Sequence, residues 1–194
     1  MRRMTILVLA AVLVLAACED ESPRERTDRN QEDVPAGAPQ NEADPRSVEI
    51  YAAVIRRLVT KDHTFGGAPS PFEHVYVLDG PLPGGKWPRN DSGRPEKQFS
   101  TAVKDALKVE LTGLPPIDFI SDPDSARFGK DLMGGVKKRG VIVTVGPIVG
   151  RAHNVKVPNS LWCGGLCGQW LTYRLKVRGG NWRVTGTVGP IAIS

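Results

Sequence analysis

Leu171-Thr172-Tyr173-Arg174-Leu175-Lys176-Val177-Arg178-Gly179-Gly180-Asn181-Trp182 decides the fold class of this 194-residue chain. Leu171, Tyr173, Leu175 and Val177 alternate with Thr172, Arg174 and Lys176, the period-two pattern of a strand with one buried face. Arg178-Gly179-Gly180-Asn181 predicts a hairpin turn, and Trp182, Val184 and Val188 carry the returning strand. Upstream, Val155 and Val157 alternate with polar neighbours. Val141 to Val145 is an unbroken apolar run, expected of a strand covered on both faces. Gly146-Pro147 interrupts it, which predicts a bulge or bend before Ile148-Val149.

The pattern changes period towards the N-terminus. Val48, Tyr51, Ala52, Ile55, Leu58 and Val59 recur at three- and four-residue spacing, one apolar face of a helix. Asp44 is its expected cap and Pro45 its first residue, with Gly66-Gly67 beyond its end. Val75 to Leu78, before Asp79-Gly80-Pro81, predicts a short strand ending in a turn. Residues 81–97, rich in Pro, Gly, Asn and charge around Trp87, form a long loop. Ser100 offers the cap of a second helix whose buried stripe is Ala102, Val103, Ala106, Leu107 and Leu111, ended by Gly113 and Pro115-Pro116. Helices come early and strands late, without βαβ alternation. The expected class is therefore α+β: a curved antiparallel sheet packed by one or two N-terminal helices. No internal repeat is visible, and residues 44–194 suit a single domain.

Trp162-Cys163-Gly164-Gly165-Leu166-Cys167-Gly168 is the most unusual local sequence. Cys163 and Cys167 are expected to form a disulfide that fixes a tight Gly-rich turn. Redox and metal readings are weaker. Three residues separate the cysteines where thioredoxin-type sites have two, and no histidine spacing resembles a zinc pattern. The stretch CGGLCG, with Tyr173, the Gly-Gly-Asn-Trp turn and the C-terminal Ile-Ser, is similar to small exported bacterial proteins of unknown function. That similarity implies a fold element, not an activity.

The N-terminus addresses the chain. Arg2 and Arg3 precede an uncharged, mostly aliphatic run from Thr5 to Ala17, followed by Glu19, Asp20 and Glu21. Such a run reaches only ~20 Å as a helix, short of the ~30 Å hydrocarbon core. It has the charged, hydrophobic and small-residue regions of an export signal. Leu15-Ala16-Ala17-Cys18 resembles the lipobox of bacterial prolipoproteins. The resemblance implies that residues 1–17 are a removed signal peptide and that Cys18 becomes a lipidated N-terminus. It places the domain at the extracytoplasmic face of a bacterial membrane.

Charge is split along the chain. Residues 19–47 hold nine Asp or Glu against four Arg, a net of −5, whereas residues 48–194 hold twenty Lys or Arg against twelve acids, a net of +8. The acidic stretch has almost no large apolar residue, so residues 18–43 are expected to act as a disordered tether. The basic domain suits an anionic polymer, lipid headgroups or another envelope protein as partner, and nucleic acid is not expected. Its basic residues look scattered in the linear sequence.

His63, His74 and His153 have no Ser, Cys or Asp at a recognised catalytic spacing. Gly-rich segments lack the Lys-Ser/Thr of a phosphate loop, and no cofactor or metal is implied. Trp87, His153 and Trp162 are weak candidates for a ligand surface, with sheet packing the default for the tryptophans. The leading expectation is a lipid-anchored extracytoplasmic binding domain. The alternatives are an exported thiol–disulfide or hydrolytic enzyme using Cys163, Cys167 or the histidines, and a structural envelope lipoprotein.

Overall fold

A computed structural model describes residues 43–64, 71–85, 87, 94–129 and 134–194. The expected signal peptide, Cys18, the tether up to residue 42 and Gly66-Gly67 lie outside the described residues.

Helix α1 (Pro45–Thr60) begins where the sequence places it. The Asp44 carboxylate accepts from the Arg46 N–H at 3.1 Å and the Ser47 N–H at 3.2 Å, satisfying two donors that have no partner within the helix. All six expected apolar positions are buried, together with Ile50 and Val54. Helix α2 (Thr101–Glu110) is capped by Ser100, whose Oγ accepts from the Val103 N–H at 3.3 Å. Its stripe is narrower than expected. Leu107 and Leu111 are buried and Val103 and Ala106 half-buried, but Ala102 is exposed, because α2 meets the core with its C-terminal half.

The strands are β1 (His74–Leu78), β2 (Ile117–Ile120), β3 (Gly140–Val145), β4 (Val149–Arg151), β5 (Asn154–Gly164), β6 (Cys167–Arg178), β7 (Asn181–Thr187) and β8 (Ala192–Ile193). They form one sheet in the order β2-β1-β3-β5-β6-β7, with β4 paired to β5 and β8 to β6. The class is α+β, and the sheet is mostly antiparallel. It is nevertheless mixed: β1 pairs in parallel with both β2 and β3. The chain leaves β1, passes through α2 and returns parallel in β2, the helical crossover that a parallel pair needs. The sequence pattern did not announce this βαβ unit.

Two cores explain why β1 and β3 are buried along their whole length. One face of the sheet carries Val75, Val77, Val141, Val143, Val157, Leu161, Leu171 and Tyr173 against α1 and α2. The other face carries Tyr76, Leu78, Ile142 and Trp162 against Leu82, Trp87, Ala126 and Val136 from the loops. A buried polar tie joins loop and sheet there. Thr144 Oγ1 donates to the Gly85 carbonyl at 2.8 Å and lies 2.7 Å from Ser160 Oγ. Ser160 in turn accepts from the Trp87 N–H at 3.2 Å.

Candidate functional site

The loops cover only part of that second face, and the uncovered part is cationic. Directly paired residues of antiparallel strands share a face, and alternate residues of one strand return to it. The pairs Val149↔Lys156 and Arg151↔Asn154 join β4 to β5, and Asn154↔Lys176 and Lys156↔Arg174 join β5 to β6. Lys176↔Arg183 and Arg178↔Asn181 join β6 to β7. Arg151, Lys156, Arg174, Lys176, Arg178 and Arg183 therefore stand on one face, and all are exposed. No Asp or Glu lies at any of these paired positions, and none of the six cations makes an ion pair among the described residues. The opposite face of the same strands holds Val155, Val157, Leu171, Tyr173, Leu175 and Trp182 in the core. Burial of that apolar set fixes the register, and the register gathers the cations.

Like charges directly opposite one another across a sheet are destabilising. Lys156 faces Arg174 and Lys176 faces Arg183 without a carboxylate between them. Such an array suits several anionic groups held side by side.

A groove of about 390 Å3 between α1 and β7 is also lined by basic residues, including Arg56, Arg57, Lys61 and Arg183. Two of these are already engaged. Arg56 donates to the Glu110 and Thr112 carbonyls at the end of α2. Arg57 Nε donates to Asp62 Oδ2 at 2.7 Å, and the Tyr173 hydroxyl donates to the same oxygen at 2.9 Å. Burial, reinforced by the Asp62 charge, pushes the Tyr173 hydroxyl well above its ordinary pKa. Arg57, Asp62 and Tyr173 together fasten the end of α1 to β6. Asp62, just beyond the end of α1, joins the two.

The singled-out residues fall in separate places. Trp87 and Trp162 pack edge to face in the second core, ring centroids 5.3 Å apart. The Arg127 guanidinium lies over both, 5.6 Å from Trp87 and 5.0 Å from Trp162, and pairs with Asp124 at 2.7 Å. Both rings are buried, so they serve packing. His63 is buried edge-on to Phe72, and His74 Nε2 lies 2.8 Å from Asp118 Oδ2 at the β1–β2 edge. His153 is exposed in the β4–β5 turn. Among the described residues no group of three or more His, Cys, Asp or Glu is placed to hold a metal.

Cys163 and Cys167 lie at disulfide distance, Cα–Cα 5.2 Å, across the turn of the β5–β6 hairpin. The pairing skips from Trp162↔Gly168 to Gly164↔Cys167, which leaves Cys163 as the extra residue of a bulge. Thr64 Oγ1 lies 3.3 Å from Cys167 Sγ.

Comparison with known proteins returns no match among family models, curated proteins or solved structures.

The cationic face is the site that sequence reasoning missed. Its one local signal was Arg174 and Lys176 alternating with buried residues on β6. Arg178 extends the same alternation at the end of β6, and Arg151, Lys156 and Arg183 join them only through strand pairing.

Proposed function

We propose that this chain is a lipid-anchored extracytoplasmic binding domain whose ligand surface is the exposed face of β4 to β7. The single observation that carries the reading is that Arg151, Lys156, Arg174, Lys176, Arg178 and Arg183 share that face without a carboxylate or an ion pair among the described residues. An unneutralised array of this kind attracts anions and speeds their association. The ligand class is therefore polyanionic: an acidic envelope polymer, a charged membrane surface or an acidic partner protein. The anchor rests on Leu15-Ala16-Ala17-Cys18.

Two measurements test the two halves of the proposal. Long-chain polyphosphate should bind the chain and be released as salt rises, because the contacts are exposed and screened. Lys156→Gln combined with Arg174→Gln should weaken that binding. Unchanged binding in this variant sinks the assignment of the face. For the anchor, Cys18→Ser should abolish fatty-acid labelling in the native bacterium, and persistent labelling would remove the lipoprotein reading.

A further inference from the structure

The partner of the cationic face can be narrowed, on the reading just given that this face binds anions. We infer that the β4–β7 face docks on the surface of an anionic phospholipid bilayer.

The shape of the face selects a surface over a single ligand. Four strands at ~4.8 Å spacing span about 15 Å across, and Arg174 to Arg178 spans about 13 Å along β6. The cations leave the pleat roughly in parallel, so they reach separate anions lying in a plane. A single small anion would need donors that converge. Val149, 56 % exposed, shares the face and offers an apolar contact among the charges.

The way the chain enters the domain points to the same partner. The first turn of α1, with Pro45 and Arg46, lines one cavity of about 540 Å3 with Ala152 and His153 of the β4–β5 turn and Gly180 of the β6–β7 turn. The polypeptide that carries Cys18 therefore joins the domain at the end of the sheet that bears Arg151, Arg178 and Arg183. From Cys18 to Asp44 the contour length is at most about 90 Å at ~3.3–3.6 Å per residue. A lipid on Cys18 and the cationic face can then engage the same bilayer. A basic surface is one of the standard membrane signals that act alongside a lipid anchor. Each Lys or Arg near an anionic bilayer raises partitioning about fivefold.

The test uses the chain from residue 19 onward, which keeps every described residue and removes only the lipid and leader. It is sedimented with vesicles of neutral phosphatidylcholine and with vesicles containing about a third phosphatidylglycerol. The expected result is binding to the anionic vesicles alone, lost at high salt. Arg174→Gln with Lys176→Gln should lower partitioning about 25-fold, at fivefold per charge. Arg174→Lys with Lys176→Arg, which keeps charge, and Lys108→Gln on α2 should leave it unchanged. Equal binding to both vesicle types, or a charge-preserving variant as weak as the neutral one, overturns the inference. Binding of soluble polyphosphate without binding of anionic vesicles also overturns it and leaves the proposed polyanion-binding function standing. Failure of both probes removes both readings.

Discussion

Lys176 of β6 stands directly opposite Arg183 of β7 on an exposed sheet face, and neither makes an ion pair among the described residues. Stability alone would favour an opposite-charge pair at this position. Arg183→Glu should therefore raise stability by a few tenths of a kcal/mol, the magnitude of an exposed pair. The same change should weaken polyanion binding. Thermal melts and a binding titration of one variant read both effects. If stability and binding fell together, the like-charge pair would be structural and the face would lose its functional assignment.

Two buried tyrosines should make the fold sensitive to alkali. Burial pushes the Tyr51 hydroxyl up to about 12 and raises that of Tyr173, beside Asp62, further still. The unfolded chain ionises both near pH 10, where the folded chain keeps its protons. Stability should therefore be indifferent to these groups below about pH 10 and fall as pH rises beyond it, by about 1.4 kcal/mol per pH unit for each tyrosine. Urea titrations from pH 8 to about 12 follow the slope. Tyr51→Phe should flatten it by one tyrosine's share. A slope identical in Tyr51→Phe and the parent would show that Tyr51 is accessible to hydroxide in the folded chain.

Thr144 links loop and sheet on the second face. Its hydroxyl is fully buried, donates to the Gly85 carbonyl at 2.8 Å and touches Ser160 Oγ at 2.7 Å. Thr144→Val preserves shape but strands the Gly85 carbonyl, which should cost about 1–3 kcal/mol. Thr144→Ser keeps the hydroxyl and should lose much less, about the transfer free energy of one methyl group. Equal losses in the two variants would transfer the effect from the hydrogen bonds to packing.

What the sequence made legible follows from where its signals are local. Asp44-Pro45, Ser100 and the turn at Gly179-Gly180 act on neighbouring residues, and each stands where local chemistry places it. At that turn Gly179 and Gly180 take φ of 58° and 82°, a conformation that residues with a Cβ disfavour. Strand β2 was not legible. It has four residues, Asp118 interrupts its apolar pattern, and its burial is incomplete. The parallel β1–β2 pair closes a crossover whose helix, α2, was legible from Ser100 onward, but a long polar stretch separates that helix from β1, so no β–α–β rhythm stood out. The cationic face was hidden for a related reason. Its members run from Arg151 to Arg183 across four strands, and only cross-strand register brings them together.

The cysteine pair was legible as a tight turn that would bring the two residues together, and its setting sharpens what removing it should do. A strand that stayed extended would hold positions 163 and 167 about 13 Å apart, far beyond the 4.4–6.8 Å that a bridge spans. The chain instead folds back through Gly165 and Leu166 and brings the two Cα atoms to 5.2 Å. The bridge closes so short a loop that its chain-entropy contribution is only about 2 kcal/mol. Cys163→Ser with Cys167→Ser should lower stability by about that amount, and mass spectrometry of the unreduced parent should find the two residues linked. Binding to polyanions should survive, because the turn belongs to the loop-covered end of β5 and β6, whereas Lys156, Arg174 and Lys176 lie towards the other end. A double variant as stable as the parent that no longer bound its ligand would reverse this assignment. The pair would then act in function through its redox state, and the cationic face would not suffice for binding.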